Sequence, residues 1–399
     1  MRSRRILLVT LSAVVVVGSG TIAQQVPAGP APIIDAALTR GRRYLQLAQS
    51  RDGSWRSDKY SSFRDGPSLT PLVLLALDGG RSSPETNKAF VRGTDYLVAL
   101  VRPDGTIDAG QFGLSYPVYS AALAVRLLSL PGMDRHRAAC DAWLADLRRR
   151  QLDESLGWSP DDAAFGGWGY CHSIPKKPKP GEFVPQLLES NLSATVFALD
   201  ALRAAGVSLS DPAYRRALVF VRRCQNLADD SGRTDAGFDD GGFHFIYGDP
   251  ARNKPGPAGR DRHGRPRFRS YGSTTADGYR ALRRCGLADD DPRIRAALAW
   301  LRSHVEGAGH VGDYPPERAG DRSALDFYFA WSLAQVLPDV PSELARPWAA
   351  AIVAGLGERQ QADSYWSNPS KAVREDDPLL ATALAVAALQ RCRDALSRP

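Results

Sequence analysis

The 399-residue chain has no Cys-x-x-Cys pair, no His-Glu-x-x-His run and, past residue 23, no apolar stretch long enough to span a bilayer. Its five cysteines, Cys140, Cys171, Cys224, Cys285 and Cys392, are odd in number and widely spaced, which speaks against both a disulfide framework and a zinc ribbon. Cys140, Cys285 and Cys392 fall in helical patterns, where a cysteine behaves as a small buried residue. The six histidines, His172, His244 and His310 among them, show no metal-ligand spacing, so neither a metal nor a cofactor is expected. Runs with the two-residue period of half-buried strands are scarce, which sets aside a β-rich fold.

Charge is nearly balanced as well. The formal charge of +7 includes Arg2, Arg4 and Arg5 of the N-terminal segment, and without them the chain carries about +4, too little to suggest nucleic acid. Those arginines precede an apolar run from Ile6 to Val17 and the small residues up to Ala23. That order predicts a signal peptide over 1–23, hence export to a periplasmic or extracellular space. An uncleaved anchor is the alternative, although the apolar run is about a dozen residues and a spanning helix needs roughly 20. Residues 24–34, with Pro27, Pro30 and Pro32, read as a linker.

What the chain does contain is a repeat. Arg40-Gly41-Arg42-Arg43-Tyr44-Leu45, followed by Gln49 and Asp52-Gly53-Ser54-Trp55, returns as Arg92-Gly93-Thr94-Asp95-Tyr96-Leu97 followed by Val101 and Asp104-Gly105-Thr106-Ile107. Looser copies stand at Trp143-Leu144 with Gly157-Trp158, at Phe220-Val221 with Gln225, at Trp300-Leu301, and from Leu356 through Gln360 to Tyr365-Trp366. Each is followed by a second apolar stretch rich in Ala and Leu: 69–77, 116–130, 191–202, 273–282, 324–336 and 379–389. Ala and Leu favour helix over strand. Helix pairs that cannot bury their apolar faces alone stack on their neighbours, as an open solenoid or as a closed ring, and six pairs is the number that closes one. The expectation is an all-α chain, an α/α-toroid of about six helix pairs over residues 35–395.

The segment from Arg40 to Trp55 resembles the QW motif of squalene and oxidosqualene cyclases: a basic and a small residue, aromatic-Leu, then Gln and Gly-x-Trp. The resemblance places the chain beside the terpenoid-cyclase and protein-prenyltransferase toroids. It implies that Tyr44, Gln49, Gly53 and Trp55, with Gln360 and Trp366 of the last copy, are structural. The triterpene cyclases protonate an alkene with an Asp-x-Asp-Asp motif opening an inner helix. The comparable run here, Ser190-Asn191-Leu192-Ser193, lacks all of those aspartates. The Asp-x-Cys pair of the zinc prenyltransferases is missing too, and Leu356 stands where a complement-type thioester would need cysteine.

Candidates for chemistry are therefore few. Arg374-Glu375-Asp376-Asp377 precedes an inner helix, so Asp376 and Asp377 read as crowded acids or as helix caps. Asp277 sits inside an apolar helix, where a carboxylate needs a partner or serves a site. Asn191, Ser193, Asp326 and Tyr328 are further polar positions on predicted inner helices. The parallel runs Gly166-Gly167-Trp168-Gly169-Tyr170 and Gly241-Gly242-Phe243-His244-Phe245 predict equivalent loops on one face, with Trp168, Tyr170, Phe243 and Phe245 as pocket wall or core. Seven basic residues from Arg252 to Arg269 read as an anion-binding cluster or as a solvated loop.

Three functions fit these residues. The first is a non-catalytic toroid that binds an apolar or isoprenoid molecule or a protein partner. The second is a divergent cyclase using Asp277, Asp376 or Asp377 as its acid. The third is a polysaccharide-active toroid with paired acids.

Overall fold

The computed structural model describes residues 30–108, 110–111, 113–227, 239–247, 252–260, 264, 266–307 and 309–398. The signal-peptide expectation over 1–23 lies outside them. The described residues hold thirteen α-helices, most of them in consecutive pairs. These are α1 (Pro30–Leu47) with α2 (Thr70–Asp78), α3 (Pro84–Ala99) with α4 (Pro117–Leu128), and α5 (Arg137–Arg148) with α6 (Leu192–Ala204). The second half continues with α7 (Pro212–Arg223) and α8 (Gly272–Arg284), and with α9 (Pro292–His304) and α11 (Asp326–Val336), the short α10 (Ala319–Ser323) lying between them. The last pair is α12 (Ser342–Arg359) with α13 (Pro378–Leu396).

The second helix of each pair forms an inner ring. In that ring α2 packs on α4, α4 on α6, α6 on α8, α8 on α11, α11 on α13, and α13 returns to α2, so the toroid is closed. Inner helices such as α6, buried from Leu192 to Leu202, are apolar almost all round because they meet neighbours on every side. Outer helices are amphipathic, and α7 buries Ala213, Tyr214, Ala217, Phe220 and Val221 at one-turn spacing. Their starts are sharp. Asp211 and Asp291 cap α7 and α9 with a proline at the first helical position.

The QW elements tie each repeat to the next. The Trp55 indole donates to the Leu45 carbonyl at 2.6 Å, and its amide donates to Thr70 Oγ1 at 2.9 Å, fixing α2 to the end of α1. Gln49 Nε2 donates to the carbonyl of Gly53 and to that of Ala89 in α3. Gly53 has φ +93°, and a Cβ there would collide with the Arg92 carbonyl, so the residue must be glycine. Trp366 and Gln360 repeat the arrangement, Trp366 with Leu356 and Thr382, Gln360 with Ala37 of α1. That last bond joins repeat six to repeat one. Tyr44 packs its ring 5.3 Å from Tyr365 across the same seam.

Two sequence expectations are corrected. In the third repeat the stapling tryptophan is Trp168, not Trp158: Trp168 donates to Leu147 and Thr195, while Gln151 reaches Gly166 and Ala213. Phe243 holds the matching place in the fourth repeat, its amide on Thr275 and Gln225 on Gly241 and Arg293. Trp168 and Phe243 are both fully buried there and do not line a pocket. The linker is also shorter than 24–34, since α1 begins at Pro30 and buries Ile34. Prolines fit a first helical turn, whose N–H groups have no intrahelical acceptor.

Connections from outer to inner helices are long (48–69, 100–116, 149–191, 224–271, 305–325, 360–377) and the returns are short (79–83, 129–136, 205–211, 285–291, 337–341). All long connections therefore emerge at the N-terminal ends of the inner helices, and that face is the mouth of the ring. Part of the basic segment is a hairpin there, with Pro257–Arg260 antiparallel to Pro266–Phe268. Arg252 pairs with Glu189 and Arg269 with Asp313, so these two are tied down. No described helix is long and apolar enough to cross a membrane.

Candidate functional site

Where the stapled aromatics Trp168 and Phe243 are enclosed, the residues two positions past them, Tyr170 and Phe245, are both half-buried. Their rings lie 6.3 Å apart. From Tyr170 an unbroken series of rings runs round the mouth: Tyr116 at 6.3 Å, Tyr119 at 5.5 Å, and onward from Tyr116 to Phe63 at 5.5 Å and from Phe63 to Tyr60 at 6.3 Å. The Tyr119 and Tyr170 hydroxyls are 2.9 Å apart. Tyr116, Tyr119, Tyr170, Phe245 and Tyr328 are half-buried although they belong to the inner ring or its entry loops, so their free faces open on its interior.

The floor is Phe197 of α6 stacked on Trp331 of α11 at 4.9 Å. Because α8 stands between those helices in the ring, the stack reaches across the lumen. One turn deeper lies an ionic layer. Asp200 is bound by Arg280 and by Arg284 at 2.7 Å, with Arg126 at 3.8 Å. These arginines hold the Asp200 carboxyl far below the usual carboxylate range, against the opposing effect of its burial.

Asp277 lies between the rings and that layer, fully buried. Its Oδ1 accepts from Arg280 Nη1 at 3.0 Å and Ser332 Oγ at 2.5 Å; its Oδ2 accepts from the Tyr328 hydroxyl at 2.7 Å and Ser193 Oγ at 3.2 Å. Burial pushes its pKa up, while Arg280 and the three hydroxyls pull the other way. The side chain thus bridges α6, α8 and α11 with both oxygens in use.

The remaining sequence candidates fall elsewhere. Asp377 caps α13 through the Leu379 and Leu380 amides and accepts from Ser57, and Asp376 pairs with Lys59 at 2.6 Å and with the Tyr60 hydroxyl at 2.6 Å. Lys59 and Tyr60 hold Asp376 below its ordinary value against its burial, the reverse of what a proton donor needs. Asn191 caps α6 through Ala194. Asp326 accepts the His310 amide and pairs with Arg359 at 2.8 Å, which directs it to the outer helix α12 and away from the lumen. Sequence reasoning missed Tyr116, Tyr119 and Phe197. Aromatics in the first two turns of successive inner helices were the available signal. Among the described residues no group of three His, Cys, Asp or Glu side chains is placed to hold a metal.

No protein-family model matches the chain. Over 233 residues it is 27% identical to the squalene–hopene cyclase of Bradyrhizobium diazoefficiens, a match that covers 51% of this chain and 31%, under a third, of that enzyme's length. The type II terpene cyclase MstE from Scytonema, in complex with geranylgeranyl dihydroxybenzoate, aligns at TM-score 0.57 and 15% identity over 92% of this chain and 99% of that one. Unsaturated glucuronyl hydrolase from Bacillus sp. GL1 aligns at TM-score 0.55 and 14% identity over 91% and 96%. One architecture thus carries unrelated chemistries, and the site must decide the function. The chain has the terpenoid-cyclase-like α/α-toroid fold.

Proposed function

We propose that the ring holds an apolar, isoprenoid-type ligand in its aromatic mouth and leaves it chemically unchanged. The observation that carries this is the continuous series of half-buried rings from Phe245 through Tyr170, Tyr119 and Tyr116, closed below by the Phe197–Trp331 stack. Aromatic faces offer large contact area to a branched hydrocarbon chain. Protonating an alkene needs a carboxyl that carries its proton toward the substrate. Burial raises the pKa of Asp277, and its four hydrogen bonds oppose that rise and keep both oxygens on protein partners. A sugar-cleaving pair needs two carboxyls facing the substrate, and Asp200 and Asp277 are both bound to Arg280.

A cyclase is the second reading, favoured by the burial that raises Asp277 and by its contact with Tyr328 at the lumen wall. Incubation with squalene and with geranylgeraniol, followed by mass spectrometry of the extract, separates the two. Binding of the intact isoprenoid is expected, weakened about tenfold by Tyr119→Ala with Tyr170→Ala. A cyclic product that disappears in Asp277→Asn would replace this reading with the second.

Export belongs to the same proposal, since Arg2 to Ala23 has the order of a leader. N-terminal sequencing of protein recovered outside the cytosol is expected to begin at Gln24. An N-terminus still starting at Met1 and retained in membranes would mean an anchor instead.

A further inference from the structure

Resting on that reading of the mouth, we infer that the ligand is an amphiphile whose polar end is an anion, a carboxylate or phosphate group, received by Arg374. The Arg374 guanidinium carbon lies 5.6 Å from the ring centroids of Tyr60, Phe63 and Tyr116 alike. These three rings are one end of the aromatic series that lines the lumen, so the cation is built into the wall of the site. It is half-buried, and among the described residues its guanidinium has neither an ion-pair nor a hydrogen-bond partner.

The state of its neighbours makes this unusual. Three acids follow it in sequence and none turns to it. Glu375 accepts the Phe327 and Tyr328 amides at the start of α11, Asp376 takes Lys59 and Tyr60, and Asp377 caps α13. Arginines deeper in the ring are neutralised by Asp200 and Asp277, and Arg359 by Asp326. Arg374 is left as an uncompensated positive charge on the mouth. Its backbone has φ +66°, a left-handed conformation rarely taken by a residue with a side chain, and the Asp377 amide holds it there by donating to the Arg374 carbonyl at 3.0 Å. A turn with ordinary backbone geometry would send the side chain elsewhere.

Ring faces shed water from the flat of a guanidinium and attract its charge, while its in-plane N–H donors stay free at the edge. That edge matches two oxygens of a carboxylate or phosphate. Inner helices α2 and α4 also begin at this end, at Thr70 and Pro117, and their N-terminal dipoles add to the positive potential. An apolar tail over the Phe197–Trp331 floor would then place its anionic end at Tyr60, Phe63 and Tyr116.

The test compares three probes of equal tail length, geranylgeraniol, geranylgeranoic acid and geranylgeranyl monophosphate, by equilibrium binding to wild type, Arg374→Gln and Arg374→Lys. Thermal melts confirm that each variant is folded. Wild type is expected to bind at least one anion about tenfold more tightly than the alcohol, and the better anion names the head group. This ratio should fall toward one in Arg374→Gln and survive in part in Arg374→Lys, which keeps charge without the paired donors. Equal affinity of wild type for alcohol and both anions overturns the inference and leaves the mouth reading intact, as does a preference undiminished in Arg374→Gln. Failure of all three probes to bind overturns the mouth reading together with it.

Discussion

Trp55→Ala is expected to lower the unfolding free energy by about 3 to 5 kcal/mol, the range for truncating a fully buried large aromatic. For a chain of this length that is a fall in melting temperature of about 5 °C. The indole is completely enclosed, and its removal leaves a cavity and frees the Leu45 carbonyl at the end of α1, while the backbone bond to Thr70 remains. Trp366→Ala removes the indole bond to Leu356 and the ring that packs beside Gly41 of α1, at the seam where repeat six meets repeat one, so a loss of similar size is expected there. Melts of the two variants against wild type check both. Full stability in either would mean that the motif's tryptophan is not a staple between helices.

Asp277→Ala is expected to cost a further large amount, about 3 to 5 kcal/mol, because it strips one partner from a buried ion pair. Arg280 is fully buried and would keep only Asp200, and the Tyr328, Ser332 and Ser193 hydroxyls would lose their acceptor. Asp277→Asn retains the shape and loses the charge, so it should destabilise by less but in the same direction. The sign carries the information. A carboxyl kept as a strong acid at the expense of stability would give a neutral or stabilised Asn variant, since removing its charge relieves the burial penalty. Denaturant unfolding of the two variants distinguishes a bridge among α6, α8 and α11 from an acid held under strain.

Much of this fold was legible because most inner helices are apolar and rich in Ala and Leu, α8 with Asp277, Arg280 and Arg284 being the polar exception. The stretches at 69–77 and 191–202, for example, become α2 and α6 within a residue or two. The first and last staples were legible because Gln49 to Trp55 and Gln360 to Trp366 are short and uninterrupted. The third was not. An insertion separates Gln151 from Gly166-Gly167-Trp168, and Gly157-Trp158 lies nearer in sequence, where its indole instead reaches Pro175 in the loop. Tyr170 and Phe245 were legible from the Gly-Gly-aromatic-x-aromatic pattern that the two runs share.

The ionic layer was hidden for a different reason. Asp200 and Arg280 lie 80 residues apart on two helices, and neither helix alone reveals that the charge of the other cancels it. Asp277 was flagged on burial, yet its four donors come from three helices and no local pattern announces them. Arg374 was visible only as a departure from an aspartate motif. Its cage is assembled from Tyr60, Phe63 and Tyr116, in loops preceding other helices.

The most direct test of the central claim is a crystal structure of the protein soaked with geranylgeraniol. The expected density is an unreacted chain inside the ring, lying against Tyr119, Tyr170 and Tyr328 above the Phe197–Trp331 stack. A lumen without ligand while the isoprenoid sits on the outer surface, or a cyclised product in the density, would contradict it.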